Sequence, residues 1–255
     1  MGAINDTLKT WVFEVQQFAY LSVRAVLAIF TRPRFPNEIF MQMDAIGVGS
    51  LNIVVLTGLF TGMVLALQTA LSLETFGAKN YVGRVVSLSM VRELGPVLTA
   101  LMVAGRVGSG IAAELGSMMV TDQINAMRAM GSDPLRKLVV PRVLAGLIMV
   151  PMLTVISDTV GLAGGWLISL LLLKIPGGLY FSSAIDALVV GDIIGGLAKP
   201  IVFGFIIAMV GCYLGLTTSG GTQGVGRATT QSVVVCSVLI LASDFLLTRI
   251  FFAIL

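Results

Sequence analysis

Long runs without a charged residue are the feature that most constrains the fold of this chain. Residues 45–73 contain no Asp, Glu, Lys or Arg, and a helix of roughly 20 apolar residues is long enough to cross the hydrocarbon core of a bilayer. Charged residues make up 11% of the chain and hydrophobic residues 56%, whereas a soluble domain carries about 25% charged residues. These values exclude a water-soluble globule and predict an all-α membrane protein.

Four further apolar runs follow the first. They extend from Glu93 to about Ala113, between Arg142 and Lys174, from about Asp192 to Thr217, and from about Ala228 to Phe252. Isolated charges interrupt them, chiefly Arg106, Asp158, Lys199 and Asp244. The sequence therefore predicts five transmembrane helices.

The segment before the first span has a different pattern. From Leu8 to Phe30 the apolar residues recur at helical spacing, while Lys9, Glu14 and Arg24 lie mostly off this stripe. Pro33 and Pro36 end the pattern. We predict that residues 1–40 form an amphipathic helix in the membrane interface and that residues 41–255 form the transmembrane domain. A sixth span is the alternative for the N-terminal helix.

The basic residues predict the orientation. They cluster before the first span and in the loop between the second and third spans, at Lys9, Arg24, Arg32, Arg34, Arg128, Arg136, Lys137 and Arg142. Because cytoplasmic loops are enriched in Lys and Arg, both regions are placed in the cytoplasm, although Lys79 and Arg84 on the other side make the bias moderate. Five spans then put the N-terminus in the cytoplasm and the C-terminus outside.

The sequence of residues 121–134, between the second and third spans, predicts a short cytoplasmic helix. Thr121 or Asp122 can cap its start, Gly131 suits its end and Pro134 prevents continuation. Ile124, Met127 and Met130 share one face, and a helix this short needs a partner for that face. The partner is either the groove of another protein or the chain's own helices.

Several kinds of chemistry are excluded. The chain has no His, and Cys212 and Cys236 lie in apolar runs without metal-ligand spacing. It contains no Gly-Lys dipeptide, so it has no Walker A loop. We interpret the glycine-rich segment Gly220–Gly226 as a tight cytoplasmic turn. Nothing indicates catalytic residues, a metal site, a cofactor or nucleic-acid binding.

Charges inside apolar runs are candidate functional residues, because a charge is costly in lipid. We predict that Lys199 pairs with Glu93 or Asp244, within or across subunits. Asp158 either joins this network or, with Ser157 and Thr159, marks a polar kink in the third span. Arg92 at the mouth of the second span is suited to a lipid phosphate. A static role in packing remains the alternative for each residue.

Several motifs resemble the MlaE-type permeases, also called the YrbE family. They are Arg92-Glu93-Leu94-Gly95-Pro96, Ala104–Ser109, Ala113–Met118, Asp122–Pro134, Leu138–Arg142, Gly211–Gly215 and Gly220–Thr230. The resemblance covers about residues 40 to 255. Its motifs are long and specific.

This resemblance implies a permease subunit that works as a homodimer in an ABC transporter of the bacterial inner membrane. Such transporters move phospholipids or related lipids between that membrane and the outer envelope. The resemblance further implies a cytoplasmic MlaF-like ATPase that binds ATP and Mg²⁺, an outer ring of MlaD-like MCE proteins and, in some systems, a MlaB-like STAS-domain subunit.

The resemblance also assigns roles to residues. The segment Thr121–Gly131 corresponds to the coupling helix that docks on the ATPase, and Glu93, Lys199 and Asp244 match functionally sensitive positions. Candidate docking residues are Asp122, Ile124, Met127, Arg128, Met130 and Asp133. Candidate cavity residues for lipid follow from position rather than from the resemblance: besides Arg92 and Glu93, they are Leu65, Leu73 and Phe76 in the outer half of the first span and Leu94 and Val97 at the start of the second. The five apolar ones are equally compatible with ordinary packing or bilayer contact.

Two other classes of function compete with an ATP-driven permease. An ion-coupled secondary carrier of amphipathic substrates would use Glu93, Asp158, Lys199 and Asp244 as a relay. The odd number of spans and the methionine-faced loop helix count against it. A lipid-modifying enzyme is disfavoured because no nucleophile with a base and no paired catalytic carboxylates are found.

Overall fold

The computed structural model describes residues 2–31 and 35–254, with side chains from residue 12 onward except those of 252 and 254. These residues form α-helices and no β-strand. The helices are α1 (Gly2–Ile29), α2 (Pro36–Met43), α3 (Gly49–Glu74), α4 (Val82–Ser89), α5 (Gly95–Val103), α6 (Ser109–Val120), α7 (Gln123–Ala129), α8 (Val140–Leu171), α9 (Gly177–Ile185), α10 (Val190–Leu216) and α11 (Gly221–Ile254). Arg32, Pro33 and Arg34 lie outside the described residues, as do the side chains of Leu8 and Lys9.

Short π-helical turns join several of these helices into longer ones. Asp44–Val48 connects α2 to α3, Met90–Leu94 connects α4 to α5, Ala104–Gly108 connects α5 to α6, and Leu135–Val139 leads into α8. A π-helical turn holds one extra residue without ending the helix. The chain therefore contains long helices with local irregularities.

Six helical segments in the described residues are long and apolar enough to cross a membrane. They are Val12–Ile29, Pro36–Glu74, Lys79–Val120, Leu135–Leu171, Val190–Leu216 and Gly221–Phe251. The last five correspond to the predicted spans. The second begins at Lys79 rather than after Glu93, so Arg92 and Glu93 lie about 20 Å along a continuous helix and not at its mouth.

The additional segment, Val12–Ile29, lies in α1, which touches one end of the bundle. The Tyr213 hydroxyl near the end of α10 donates to the Glu14 carbonyl oxygen at 3.3 Å, and the Phe18 and Tyr213 rings meet edge to face. Farther along α1, Ala28 and Ile29 share a small cavity with Val140 and Leu144 near the start of α8. These contacts favour a helix lying across the bundle end over one running along its length.

Glycines bring α3 and α8 into close contact. A Cβ at Gly62 would overlap the backbone of Gly161, and a Cβ at Gly58 would lie 2.7 Å from the carbonyl oxygen of Ser157. Small residues at a spacing of four permit such an approach in membranes. In this pair of helices the glycine pattern therefore serves contacts within one chain.

The turn between α10 and α11 is shorter than predicted. Gly220 and Gly221 have φ angles of +86° and +68°, a conformation that favours glycine, whereas Gly224 and Gly226 already belong to α11. A Cβ at Gly224 would overlap the Ser219 carbonyl. The prediction of a turn was correct, but it is confined to residues 217–220.

Candidate functional site

The Lys199 side chain lies at the centre of a cluster of charges between three spans. Its Nζ is 2.8 Å from Oε2 of Glu93 and 3.0 Å from Oδ1 of Asp244. The Thr248 hydroxyl, one helical turn after Asp244, donates to Oε1 of Glu93 at 3.0 Å. The residue Lys199 itself is 3% exposed. One buried ammonium group therefore holds two carboxylates from two other helices, all within one chain.

Lys199 also satisfies a backbone group. Its Nζ donates to the carbonyl oxygen of Arg92 at 2.9 Å. Pro96 stands four residues after Arg92 and has no N–H to donate to that carbonyl in a regular helix. The Lys199 ammonium thus supplies the hydrogen bond that Pro96 cannot, and it ties α10 to the π-helical turn before α5.

A cavity of about 400 Å³ adjoins this cluster. The Arg92 guanidinium at its wall pairs through Nε with Oδ1 of Asp192 at 2.7 Å, and the Arg92 side chain remains 41% exposed. The lining residues are Arg92, Glu93, Val189, Gly191, Asp192, Gly195, Gly196, Lys199, Thr248 and Phe251. The cavity therefore has a strongly charged wall next to apolar side chains.

Sequence reasoning missed part of this site, although helical spacing carries a signal for it. Asp192, Gly195, Gly196 and Lys199 stand at positions i, i+3, i+4 and i+7 of α10, which lie on one helix face. Asp244, Thr248 and Phe251 have the same relation on α11. Grouping residues by face would have added Asp192, Thr248 and Phe251 to the predicted charges.

Asp158 does not join the charge cluster. It lies on α8 and faces α5, where a Cβ at Gly95 would overlap its carboxylate. Its Oδ1 is buried and has no hydrogen-bond partner among the described residues. The expectation that Asp158 belongs to one network with Lys199 is therefore not met in this structure.

The predicted apolar residues do not line the charged cavity. Leu65, Leu73 and Leu94 pack against a hydrophobic cluster of α3, α4 and α9, and Val97 packs against the larger core cluster. Phe76, just after α3, is 82% exposed. Of the seven candidate cavity residues, this cavity therefore includes Arg92 and Glu93.

The three residues of the predicted apolar face of the loop helix α7 differ in their exposure. Ile124 is fully buried within the chain, whereas Met130 is 75% exposed and Met127 is half-buried. Asp122 occupies the N-cap position, but its Oδ1 accepts from the Asn125 side chain at 2.9 Å instead of a backbone N–H. Packing against the chain's own helices therefore accounts for Ile124, whereas Met130 is exposed and docking of a partner there stays a prediction.

The remaining candidates of this loop lie around α7. Asp133 Oδ1 accepts from the backbone N–H of Leu135 at 3.0 Å, and Arg128 is exposed and bonds the Asn125 side chain at 3.4 Å. Nearby, the buried Arg142 side chain pairs with Glu114 at 2.7 Å and donates to the Leu138 carbonyl at 2.7 Å. The end of the bundle that carries α7 is thus braced by charged hydrogen bonds.

The described residues contain no group of three or more His, Cys, Asp or Glu side chains that could hold a metal ion. The carboxylates near Lys199 are engaged with its ammonium group and with Arg92. The site thus consists of ion pairs and hydrogen bonds beside an open cavity. Such an arrangement can bind a polar or charged ligand group.

Comparison with known proteins identifies the family. Residues 39–250 match the family described as Permease MlaE. The chain is 44% identical to the probable ABC transporter permease protein RT0041 of Rickettsia typhi over 235 residues, which cover 92% of this chain and 91% of that protein. It is 45% identical to the probable ABC transporter permease protein slr1045 of Synechocystis over 248 residues, covering 97% and 94%.

A plant protein is also similar. The chain is 40% identical to the chloroplast protein TRIGALACTOSYLDIACYLGLYCEROL 1 of Arabidopsis thaliana over 211 residues, which cover 83% of this chain and 60% of that protein. Together with the six apolar helices, these similarities show a multi-pass transmembrane permease. The chain belongs to the MlaE permease family of ABC transporters.

Proposed function

We propose that this chain is the transmembrane subunit of an ATP-driven transporter that moves phospholipid between the bacterial inner membrane and the outer envelope. In this proposal two copies form the transmembrane unit, a cytoplasmic MlaF-like ATPase hydrolyses ATP with Mg²⁺, and a MlaD-like MCE protein receives or supplies lipid on the outer side. A MlaB-like STAS-domain subunit completes the complex in some systems. The N-terminus lies in the cytoplasm and the C-terminus in the periplasm.

The charged cavity beside Lys199 is the observation that carries this proposal. A guanidinium group such as that of Arg92 binds phosphate oxygens in a bidentate geometry. Glu93 and Asp192, whose carboxylates already pair with Lys199 and Arg92, add negative charge that attracts the amine of a zwitterionic headgroup. Val190 and Ile194, on the same segment of α10, are 70% and 59% exposed and offer apolar surface for acyl chains. The site therefore matches an amphipathic ligand with a phosphate.

Two further observations support the assignment. The name of the Arabidopsis relative refers to a glycolipid, which favours a lipid among the substrates of such permeases. The Lys199 ion pairs join the second, fourth and fifth spans, so their rearrangement would change the cavity as the helices move. In the dimer, nucleotide-driven motion enters through α7 and reaches these helices.

Photo-crosslinking to lipid tests the proposal. A photoreactive phenylalanine analogue replaces Phe251 in the cavity wall or, as the control, Phe60, which is 58% exposed on α3. In cells labelled with ³²P, both positions should capture phospholipid. Arg92→Glu should reduce capture at position 251 and leave capture at position 60 unchanged, because only the former depends on the cavity. Equal capture at 251 with and without the change would contradict phosphate binding at Arg92.

A further inference from the structure

A second pocket lies at the opposite end of the bundle from the charge cluster. Its volume is about 450 Å³, and the residues lining it come from α1, the end of α7 with the segment that follows it, and the end of α10. They are Leu21, Arg24, Arg128, Gly131, Ser132, Asp133, Pro134, Leu135 and Leu216. From Asp192 to Leu216, α10 rises about 36 Å. This pocket is therefore separate from the proposed transport cavity.

Two arginines at this pocket lack a carboxylate partner among the described residues. The Arg24 guanidinium lies 5.6 Å from the centre of the Tyr20 ring, and Arg128 has the long hydrogen bond to Asn125. Asp133 is engaged elsewhere, since its Oδ2 is 3.5 Å from Nε of Arg136. Two arginines without a carboxylate partner among the described residues line one pocket, which attracts an anion, and a guanidinium group suits phosphate.

The position of α1 indicates where that phosphate comes from. Val23 and Leu27, on the same helix as Arg24, are 58% and 63% exposed, and Phe30 directly after that helix is 77% exposed. Because α1 touches one end of the bundle, its apolar side chains are best covered by the interfacial region of the bilayer. Arg24 then lies at the level of the lipid headgroups. Leu21, Leu135 and Leu216 provide apolar walls for the glycerol and the start of the acyl chains.

We propose that Arg24 and Arg128 bind the phosphate of a phospholipid in the leaflet on the α7 side of the membrane. The bound lipid would connect α1 to the loop that follows α7 and hold α7 at a fixed depth relative to the membrane surface. This site is independent of the lipid that is transported. The composition of that leaflet would thereby influence the segment that faces the cytoplasm.

Lipid binding to the purified full-length chain tests this proposal. Native mass spectrometry in detergent measures binding of dioleoyl phosphatidylglycerol, with dioleoylglycerol as the lipid without phosphate. A basic residue near an anionic lipid surface contributes about 1 kcal/mol, so Arg24→Gln and Arg128→Gln should each weaken phosphatidylglycerol binding about fivefold. Arg227→Gln is the matched control, because Arg227 is exposed at the same end but borders a different pocket. It should leave binding unchanged.

Each other outcome overturns the proposal. Equal weakening by Arg227→Gln would indicate general surface charge, and unchanged binding in both pocket variants would exclude a lipid site. Glycerol 1-phosphate binding as tightly as the lipid would indicate a site for soluble phosphate esters. If the pocket variants lose a copurifying ATPase but keep full lipid binding, the pocket is a protein docking surface. The crosslinking experiment at Arg92 tests the other cavity. Its failure would contradict the proposed transport function but would leave the lipid-binding results at Arg24 and Arg128 unaffected.

Discussion

Removing the Lys199 ammonium group should destabilise the protein strongly. In Lys199→Met the carboxylates of Glu93 and Asp244 stay close together without the cation that separates them, and the Arg92 carbonyl loses its donor. Removing one partner of a buried ion pair costs about 3–5 kcal/mol. The Glu93 and Asp244 side chains are 39% and 17% exposed, so partial solvation favours the lower end of this range.

A loss of about 3 kcal/mol corresponds to a fall in Tm of roughly 6–12 °C for a chain of this size. Thermal unfolding in detergent, followed by size-exclusion chromatography with fluorescence detection, measures it. Lys79→Met is the matched control, because Lys79 pairs with Glu74 while their side chains are 38% and 56% exposed. Such an exposed pair contributes at most about 1 kcal/mol, so the control should shift Tm little.

A second substitution separates the ion pair from simple loss of packing. Adding Asp244→Asn to Lys199→Met removes one of the two uncompensated carboxylates. The double variant should therefore be more stable than Lys199→Met alone, with a coupling of at least about 1 kcal/mol. The reasoning is refuted if Lys199→Met shifts Tm no more than Lys79→Met, or if the two substitutions at the cluster act additively.

Three further predictions follow from the packing and from α7. Gly62→Ala should lower the free energy of unfolding by about 1–3 kcal/mol, because it forces α3 away from α8. Gly110→Ala is the control: Gly110 has open space around it, so this change should be neutral or stabilising by up to about 1 kcal/mol. Equal Tm values for the two variants would contradict this. Ile124→Ala should lower stability by about 2–5 kcal/mol, measured by the same unfolding assay, because Ile124 is fully buried. Met130→Glu should reduce copurification of the partner ATPase without changing Tm. Gln223 is exposed at the same end of the bundle, and Gln223→Glu should leave copurification unchanged. Full recovery of the ATPase with Met130→Glu would exclude docking at this residue.

The apolar runs are sufficient to predict the spans, because lipid imposes the same requirement on every crossing helix. They do not predict the π-helical turn Met90–Leu94, since an extra residue in a helix changes no hydropathy pattern. The continuous helix from Lys79 was missed for a related reason: Arg84, Arg92 and Glu93 break the apolar run, but the hydrogen bonds of the helix do not depend on side-chain polarity.

In the candidate site, the sequence identified which charged residues need partners, but not which partners the folded bundle gives them. Burial cost alone identified Lys199, Glu93 and Asp244, since an isolated charge in a span needs a partner. The direction each helix face points is a property of the assembled bundle, which is why Asp158 faces Gly95 and Arg92 meets Asp192. For α7, the identical apolar character of Ile124 and Met130 gave no indication that one is buried and the other exposed.

Transfer of phospholipid in proteoliposomes tests the central claim most directly. The chain is reconstituted with its partner ATPase, and movement of a fluorescent phospholipid is followed with and without ATP. We predict ATP-dependent transfer that Arg92→Glu abolishes while the ATPase remains bound. Transfer that proceeds with Arg92→Glu as in the unchanged protein, or that an ion gradient drives without ATP, would contradict the account.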